Sequence, residues 1–347
     1  MSINKILACL VIAAGALASC NKNKDVSFSD FDYQTVYFAS QFPVRTVVLG
    51  EDMMVDNSLD NEHKVTIKAT MGGARENRNN IVIDFNVDET LCNNLYFSGA
   101  GAKIVPMPSS YYKLASNQIT IPSGSILGGV EVQLSDAFFA DPLSLVNTYA
   151  IPLTMKSVKG ADSILRGIPA VSNPNRAIDL NWTVKPRDYI IYAVKFVNPW
   201  HGFYLRRGKD VIAGKPGYTG LDKTVTRRKE YVEQDEVKGM TTKSLSVVEL
   251  PLVFQNSSGG NISMNLLLTF DGKNNTCTIS AAGSGYTATG TGKFVKKGEK
   301  NSWGAQDRDA VYLEYTIDHP MMQITSTDTL VMRDRGVSPE YYTPVVK

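Results

Sequence analysis

From Thr35 onward, apolar and polar residues alternate in short runs separated by Gly, Asn, Asp and Pro. A period of two is the signature of half-buried β-strands, not of helices. Lys64–Ala69, Ile81–Val87 and Val130–Leu134 alternate cleanly, and Thr35–Ala39 and Arg45–Leu49 are rich in β-branched and aromatic residues. Gln118–Ile121 runs into the Pro122-Ser123-Gly124 turn. Tyr149–Met155 carries Pro152, which marks an edge or the end of a ladder. Ala177–Trp182 closes the series. About seven or eight such strands predict an antiparallel sandwich. The one helical turn expected is at Asp141–Val146.

Lys185-Pro186-Arg187-Asp188 is the strongest linker, a charge-and-proline punctuation between β runs, and Trp182 before it is read as packing at the seam. The pattern restarts at Tyr189–Val197 and continues through Thr224–Val232, Ser244–Phe254, Ser263–Phe270, Thr276–Ala281, Tyr286–Val295, Ala310–Ile317 and Asp328–Arg333. Roughly eight to ten sequential strands predict an up-and-down meander, and closure into a barrel would remove its exposed edges. The expected class is therefore all-β: a sandwich followed by an up-and-down barrel. A barrel of about eight strands is either filled by side chains or holds one small ligand, and alternation leaves both open.

The N-terminus departs from this pattern. Lys5 precedes an apolar or small stretch, Ile6–Leu17, the length of a signal peptide core and too short to span a bilayer. Leu17-Ala18-Ser19-Cys20 follows, and resembles the cleavage site of bacterial lipoprotein signals. On that likeness, Cys20 is the lipidated residue and holds the protein to a membrane; stable anchoring needs two or more acyl chains. The bland alternative is ordinary secretion, with cleavage after Ala18 or Ser19. The division is then signal peptide 1–19, lipidated Cys and polar tether 20–32, sandwich 33–185 and barrel 186–347.

Charge narrows the partners. Lys and Arg number 36 against 34 Asp and Glu, for a formal net charge of +2. Neither half carries the basic stripe of a nucleic-acid binder, so no nucleic-acid partner is expected. Of four cysteines, Cys9 leaves with the signal peptide, and Cys92 and Cys277 are read as small buried hydrophobes in separate domains. With three histidines (His63, His201 and His319) at no ligand spacing, no metal site or other cofactor is expected. Gly283–Phe294 is glycine-rich but fails as a phosphate loop, because Lys293 is followed by Phe. No nucleophile elbow is present, and no catalytic residue is assigned.

What remains is aromatic and polar. Sugars offer an apolar C–H face and a rim of hydroxyls, which suits Trp or Tyr beside polar groups. Trp200, His201, Tyr204 and Arg206 lie together at a turn and the start of a strand, beside Arg207, and Trp303 sits in the polar loop 298–306. These are the candidate ligand residues. The competing reading makes Trp200 a plug for the barrel end, with Tyr204 in the core. Tyr341 and Tyr342 are read as docking the C-terminal tail.

Val36 to Trp182, with Tyr112-Lys113-Leu114, Ile119–Gly124 and Ala150–Leu153, resembles the immunoglobulin-like N-terminal domain of Bacteroidetes surface lipoproteins. The second half, with Trp200–Gly208 and Asp328–Gly336, is similar to the lipocalin-like domains of unknown function that accompany it. The Asp-x-x-Asp-x-Asp-x-Glu signature of the endoglycosidases sharing this module is absent. The resemblance implies a non-catalytic, lipid-anchored glycan-binding accessory protein of a polysaccharide-utilisation system, on the outer membrane and at the cell surface rather than the periplasmic face. Its implied partners are the membrane, a glycan and an outer-membrane transport complex. The alternatives are a binder of a lipid or other apolar small molecule, and a hydrolase.

Overall fold

The computed structural model describes residues 31–347, so the signal peptide, Cys20 and most of the tether lie outside the described residues. The first domain is built from β1 (Thr35–Tyr37), β2 (Pro43–Val48), β3 (Lys64–Gly72), β4 (Ile81–Val87), β5 (Gln118–Ile121), β6 (Leu127–Leu134), β7 (Tyr149–Lys159) and β8 (Tyr189–Val197). Their order in the sheet is β1-β3-β6-β5-β4-β7-β8-β2. The sheet folds over one apolar core to which every strand contributes, including Val36, Ile67, Ile83, Ile121, Val132, Leu153 and Phe196. The sandwich-like, all-β architecture read from the alternation is thus present. The expected turn at Asp141–Val146 is a 3-10 turn over Pro142–Leu145, preceded by a short helix, Asp136–Ala140, that inserts Phe138 and Phe139 into the core.

One strand changes owner. The sequence reading puts Tyr189–Val197 at the start of the barrel, but β8 lies inside the first sheet, antiparallel to β7 and parallel to β2. Its residues explain why. Ile190, Tyr192, Val194 and Phe196 face the main core, while Tyr189, Ile191 and Ala193 face a second cluster with Cys92, Leu95, Phe97 and Ile104. A strand buried on both faces reads as a continuous apolar run and belongs at the centre of a sheet. The first domain therefore extends through Val197, past the Pro186 punctuation.

The second domain contains β9 (Gly202–Gly214), β10 (Lys223–Arg227), β11 (Glu236–Thr242), β12 (Val247–Leu250), β13 (Leu266–Asp271), β14 (Thr276–Ala281), β15 (Thr287–Glu299), β16 (Arg308–His319) and β17 (Met322–Asp334). β17 pairs back onto β9 over nearly the whole length of both, closing eight antiparallel strands into a barrel, with β10 an extra strand on the distal half of β9. The interior is filled. Met240, Val248, Leu250, Leu266, Leu268, Leu313, Ile317 and Ile324 are at most 1 % exposed and pack in one cluster. Cys92 and Cys277 are buried free thiols in different domains, and burial pushes both up to about 12, away from thiolate chemistry.

After β17 the chain returns to the first domain. Glu340–Tyr341 forms an edge strand on β2. The Tyr342 hydroxyl donates to the Ile191 carbonyl at 2.8 Å and its ring packs on Phe42 and Phe97. The tail docks through Tyr342, whereas Tyr341 stays exposed.

Candidate functional site

The two domains meet at Asn198–His201, and a cleft of about 540 Å³ opens beside this joint. Its first wall is the segment Gly50–Asn61, which leaves β2 and ends in a short helix, Ser58–Asn61. Side-chain amides shape this segment. Asn57 Nδ2 donates to the carbonyls of Val48 (2.7 Å) and Gly50 (2.6 Å), and Asn61 Oδ1 accepts from the Gly50 N–H (2.8 Å). Asp60, almost fully buried, accepts from the Val48 N–H at 2.8 Å and pairs with Arg45. Burial pushes its carboxyl up while these partners draw it down.

The second wall comes from the barrel: Pro199 and Trp200 at the joint, Gly272 and Asn275 in the β13–β14 turn, Phe294 and Lys296 on β15, and Asp309 on β16. Asp309 Oδ1 accepts from the Lys297 N–H at 2.8 Å. Across the cleft, Lys296 Nζ reaches Glu51 at 3.0 Å, which holds that carboxyl below its usual range. At the base, Gly50 has φ +83° and its backbone touches Pro199, where an added Cβ would lie 2.8 Å from the proline Cβ. Only glycine accommodates both the conformation and the approach.

Arg335 pins the joint. Its guanidinium donates to four carbonyls: His201 (2.8 Å), Glu51 (3.1 Å), Leu49 (2.9 Å) and Asn198 (2.7 Å). Five donors in a rigid fork let one side chain bind both domains at once. It fixes the Leu49–Glu51 stretch, and so the start of the first wall, against the barrel.

The sequence-predicted candidates scatter. Trp200 is 5 % exposed and stacks on Phe270 with centroids 4.2 Å apart and planes within 7°. It plugs the barrel end and still contributes to the cleft wall, and its indole N–H has no partner among the described residues. Tyr204 is fully buried and its hydroxyl donates to the Trp200 carbonyl at 2.8 Å. The His201 Nδ1 accepts from the Thr242 N–H at 3.2 Å, which leaves the neutral Nε2–H tautomer. Burial first, then Arg335 and Lys195, pushes His201 down to about 4. Arg206 points into the barrel, where Asp328, Tyr315 and Glu236 engage it. Trp303 is covered by the Arg308 guanidinium at 3.8 Å and donates to the Met332 carbonyl at 3.1 Å. Of these five, Trp200 alone lines the cleft.

The Gly50–Asn61 segment escapes a search for aromatics. Its signal is different: a loop dense in Asp and Asn between two clear strands, where functional side chains concentrate. Among the described residues no group of His, Cys, Asp and Glu has the geometry to hold a metal. No helix among them is long and apolar enough to cross a membrane.

Two family models match: one for an N-terminal domain, over residues 31–162, and a domain of unknown function, DUF5627, over residues 199–336. The second match begins just after β8 ends, and residues 163–198 fall in neither. No curated protein matches. A structural-genomics crystal structure of unknown function from Bacteroides ovatus, at 2.40 Å resolution, is 49% identical over 91% of this chain and 100% of its own, with a TM-score of 0.86. A multidomain protein including DUF1735 from the same organism is 11% identical over 88% of this chain and 97% of its own, at a TM-score of 0.38. A second structural-genomics protein of unknown function from that species is 12% identical over 88% of this chain and 97% of its own, at 0.39. Likeness at that level is silent on function. At 49% identity across the whole of the first of these structures, this chain belongs to the same Bacteroides family, an N-terminal β-domain followed by a DUF5627 barrel.

Proposed function

We propose that this protein is a non-catalytic, lipid-anchored glycan-binding accessory protein of a polysaccharide-utilisation system, and that the saccharide sits in the cleft between its domains. The observation that carries the reading is the cleft itself. Its volume of about 540 Å³ falls in the range of small-molecule sites. Carboxylate and amide groups of Asp52, Asn57, Asn275 and Asp309 line it together with apolar surface from Val55, Pro199 and Trp200. Short, fixed polar groups beside apolar surface match a sugar, whose hydroxyl rim needs partners and whose C–H face needs cover. The barrel gives less support to an apolar ligand, because its inward side chains pack against one another. A lipid on Cys20 would hold both domains at the outer membrane, at the cell surface and within reach of a transport complex.

Affinity gels of the purified protein against neutral and charged polysaccharides test this. Retardation by at least one of them is expected, with no release of reducing ends. The double change Asp52→Asn with Asn275→Ala should weaken binding about tenfold, or 1.4 kcal/mol. Binding that ignores these changes would place the glycan elsewhere. No retardation by any polysaccharide, with saturable uptake of a fluorescent fatty acid, would favour the apolar-ligand alternative.

A further inference from the structure

We infer that the cleft is a charge filter: it takes uncharged saccharides and excludes those bearing carboxylate or sulfate groups. This rests on the glycan reading above. Four carboxylates, from Glu51, Asp52, Asp56 and Asp309, line the cleft against one cation, Lys296. Each accepts from a donor of its own. Lys296 serves Glu51, and backbone N–H groups of Met54, Ser58 and Lys297 serve Asp52, Asp56 and Asp309 at 2.8–3.0 Å. Asp56 accordingly titrates below the usual carboxylate range, drawn down by the Ser58 N–H.

Lys296 and the nearby arginines are already committed. Lys296 is tied to Glu51, and Lys297 acts on that same carboxylate from outside the lining. Arg45 is turned onto Asp60. Arg308 lies over Trp303, and Arg335 is buried with four carbonyls. An entering anion therefore meets an excess of negative charge with no free guanidinium in the lining to receive it. An uncharged hydroxyl meets acceptors suited to its proton. Trp200 lines the same cleft, and its indole N–H is buried with no acceptor among the described residues.

The test uses one polysaccharide in three forms. A neutral polysaccharide that retards the protein in affinity gels is compared with its carboxymethylated and sulfated derivatives, for the native protein and for the variant Glu51→Gln/Asp56→Asn. The derivatives should bind the native protein at least tenfold more weakly at low salt. The gap should narrow at high salt as screening sets in, and largely close in the amide variant. Derivatives that bind the native protein as well as their parent, or exclusion unchanged in the variant, would overturn the filter and leave glycan binding standing. If no polysaccharide binds, the glycan reading fails and the filter with it.

Discussion

The two cores of this protein are built on different terms. That of the first domain is one apolar cluster, from Val36 to Phe196. The barrel adds a charged layer to an apolar cluster of its own. Arg206 Nε meets Asp328 at 2.9 Å, and Tyr315 donates to the same carboxylate at 2.8 Å. Arg227 reaches the other oxygen of Asp328 at 2.6 Å and also pairs with Asp210, which accepts from Ser326 at 2.6 Å. The placement of these groups is the instructive part. Arg206 and Asp210 are on β9, Ser326 and Asp328 on β17, and these two strands close the barrel. Alternation of apolar residues fixes which face of a strand points inward, but a slip of two residues preserves it. A slip at this seam would strand buried charges without partners, which is costly. The barrel thus carries a register lock where its most distant strands must find each other.

The sharpest way to break the comparison is to remove one member of the lock. Asp328→Ala leaves Arg206 and Arg227 facing a void and should cost about 3–5 kcal/mol, read by urea unfolding. Leu153→Ala in the first domain should cost a similar 2–5 kcal/mol through its cavity. The two differ in rescue. Replacing the whole layer, with Arg206→Met, Arg227→Met, Asp210→Leu and Asp328→Leu, should return most of the loss, because the charges are then gone rather than unpaired. Failure of that rescue would mean that the layer supports the native barrel beyond satisfying itself.

This difference also marks what the sequence makes legible. Alternation announces the class, the strands and the barrel, because burial on one face writes itself at a period of two. It misassigns Tyr189–Val197, since burial on both faces erases the period and the Pro186 punctuation looks like a boundary. It leaves Trp200 open between ligand residue and barrel plug, and only the stack on Phe270, seventy residues on, decides for the plug. Arg206 reads as a ligand residue until Asp328 arrives from the far end of the domain. The cleft is illegible for the same reason, because its two walls are separated by well over a hundred residues of sequence.

His201, at the joint between the two cores, gives the next largest effect. Its folded pKa of about 4 lies below its ordinary 6.5. Between those values the unfolded chain binds a proton that the folded chain does not, so stability is lost as pH falls through that window. The loss should be on the order of 2–3 kcal/mol. Measured as the difference between native protein and His201→Gln, it separates from the titration of carboxylates. A flat difference between pH 4 and 7 would show that the joint tolerates an imidazolium, and so is looser than either core.

Gly50→Ala tests how tightly the domains are pressed together. The left-handed conformation and the contact with Pro199 should together cost about 1–2 kcal/mol. Because that contact forms the base of the cleft, saccharide affinity should fall with stability. Loss of stability with affinity intact would mean that the first wall shifts as a body.

The smallest effect comes from the one ion pair that spans the cleft. Lys296 and Glu51 are 66 % and 47 % exposed, so their 3.0 Å contact is largely screened, unlike the pairs inside the barrel. Lys296→Ala should cost no more than about 1 kcal/mol, and a double-mutant cycle with Glu51→Gln should give a coupling of about 0–0.5 kcal/mol that vanishes in high salt. A coupling as large as that of Arg206 with Asp328 would mean that the cleft is drier than the exposure of its rim implies. The same substitution removes the one cation lining the cleft, so it should deepen the discrimination against carboxymethylated polysaccharide while leaving the neutral parent's affinity within about threefold, or some 0.7 kcal/mol. Stability and selectivity thus respond to Lys296 in different proportions, and that disproportion separates a group that tunes the cleft from one that holds the domains together.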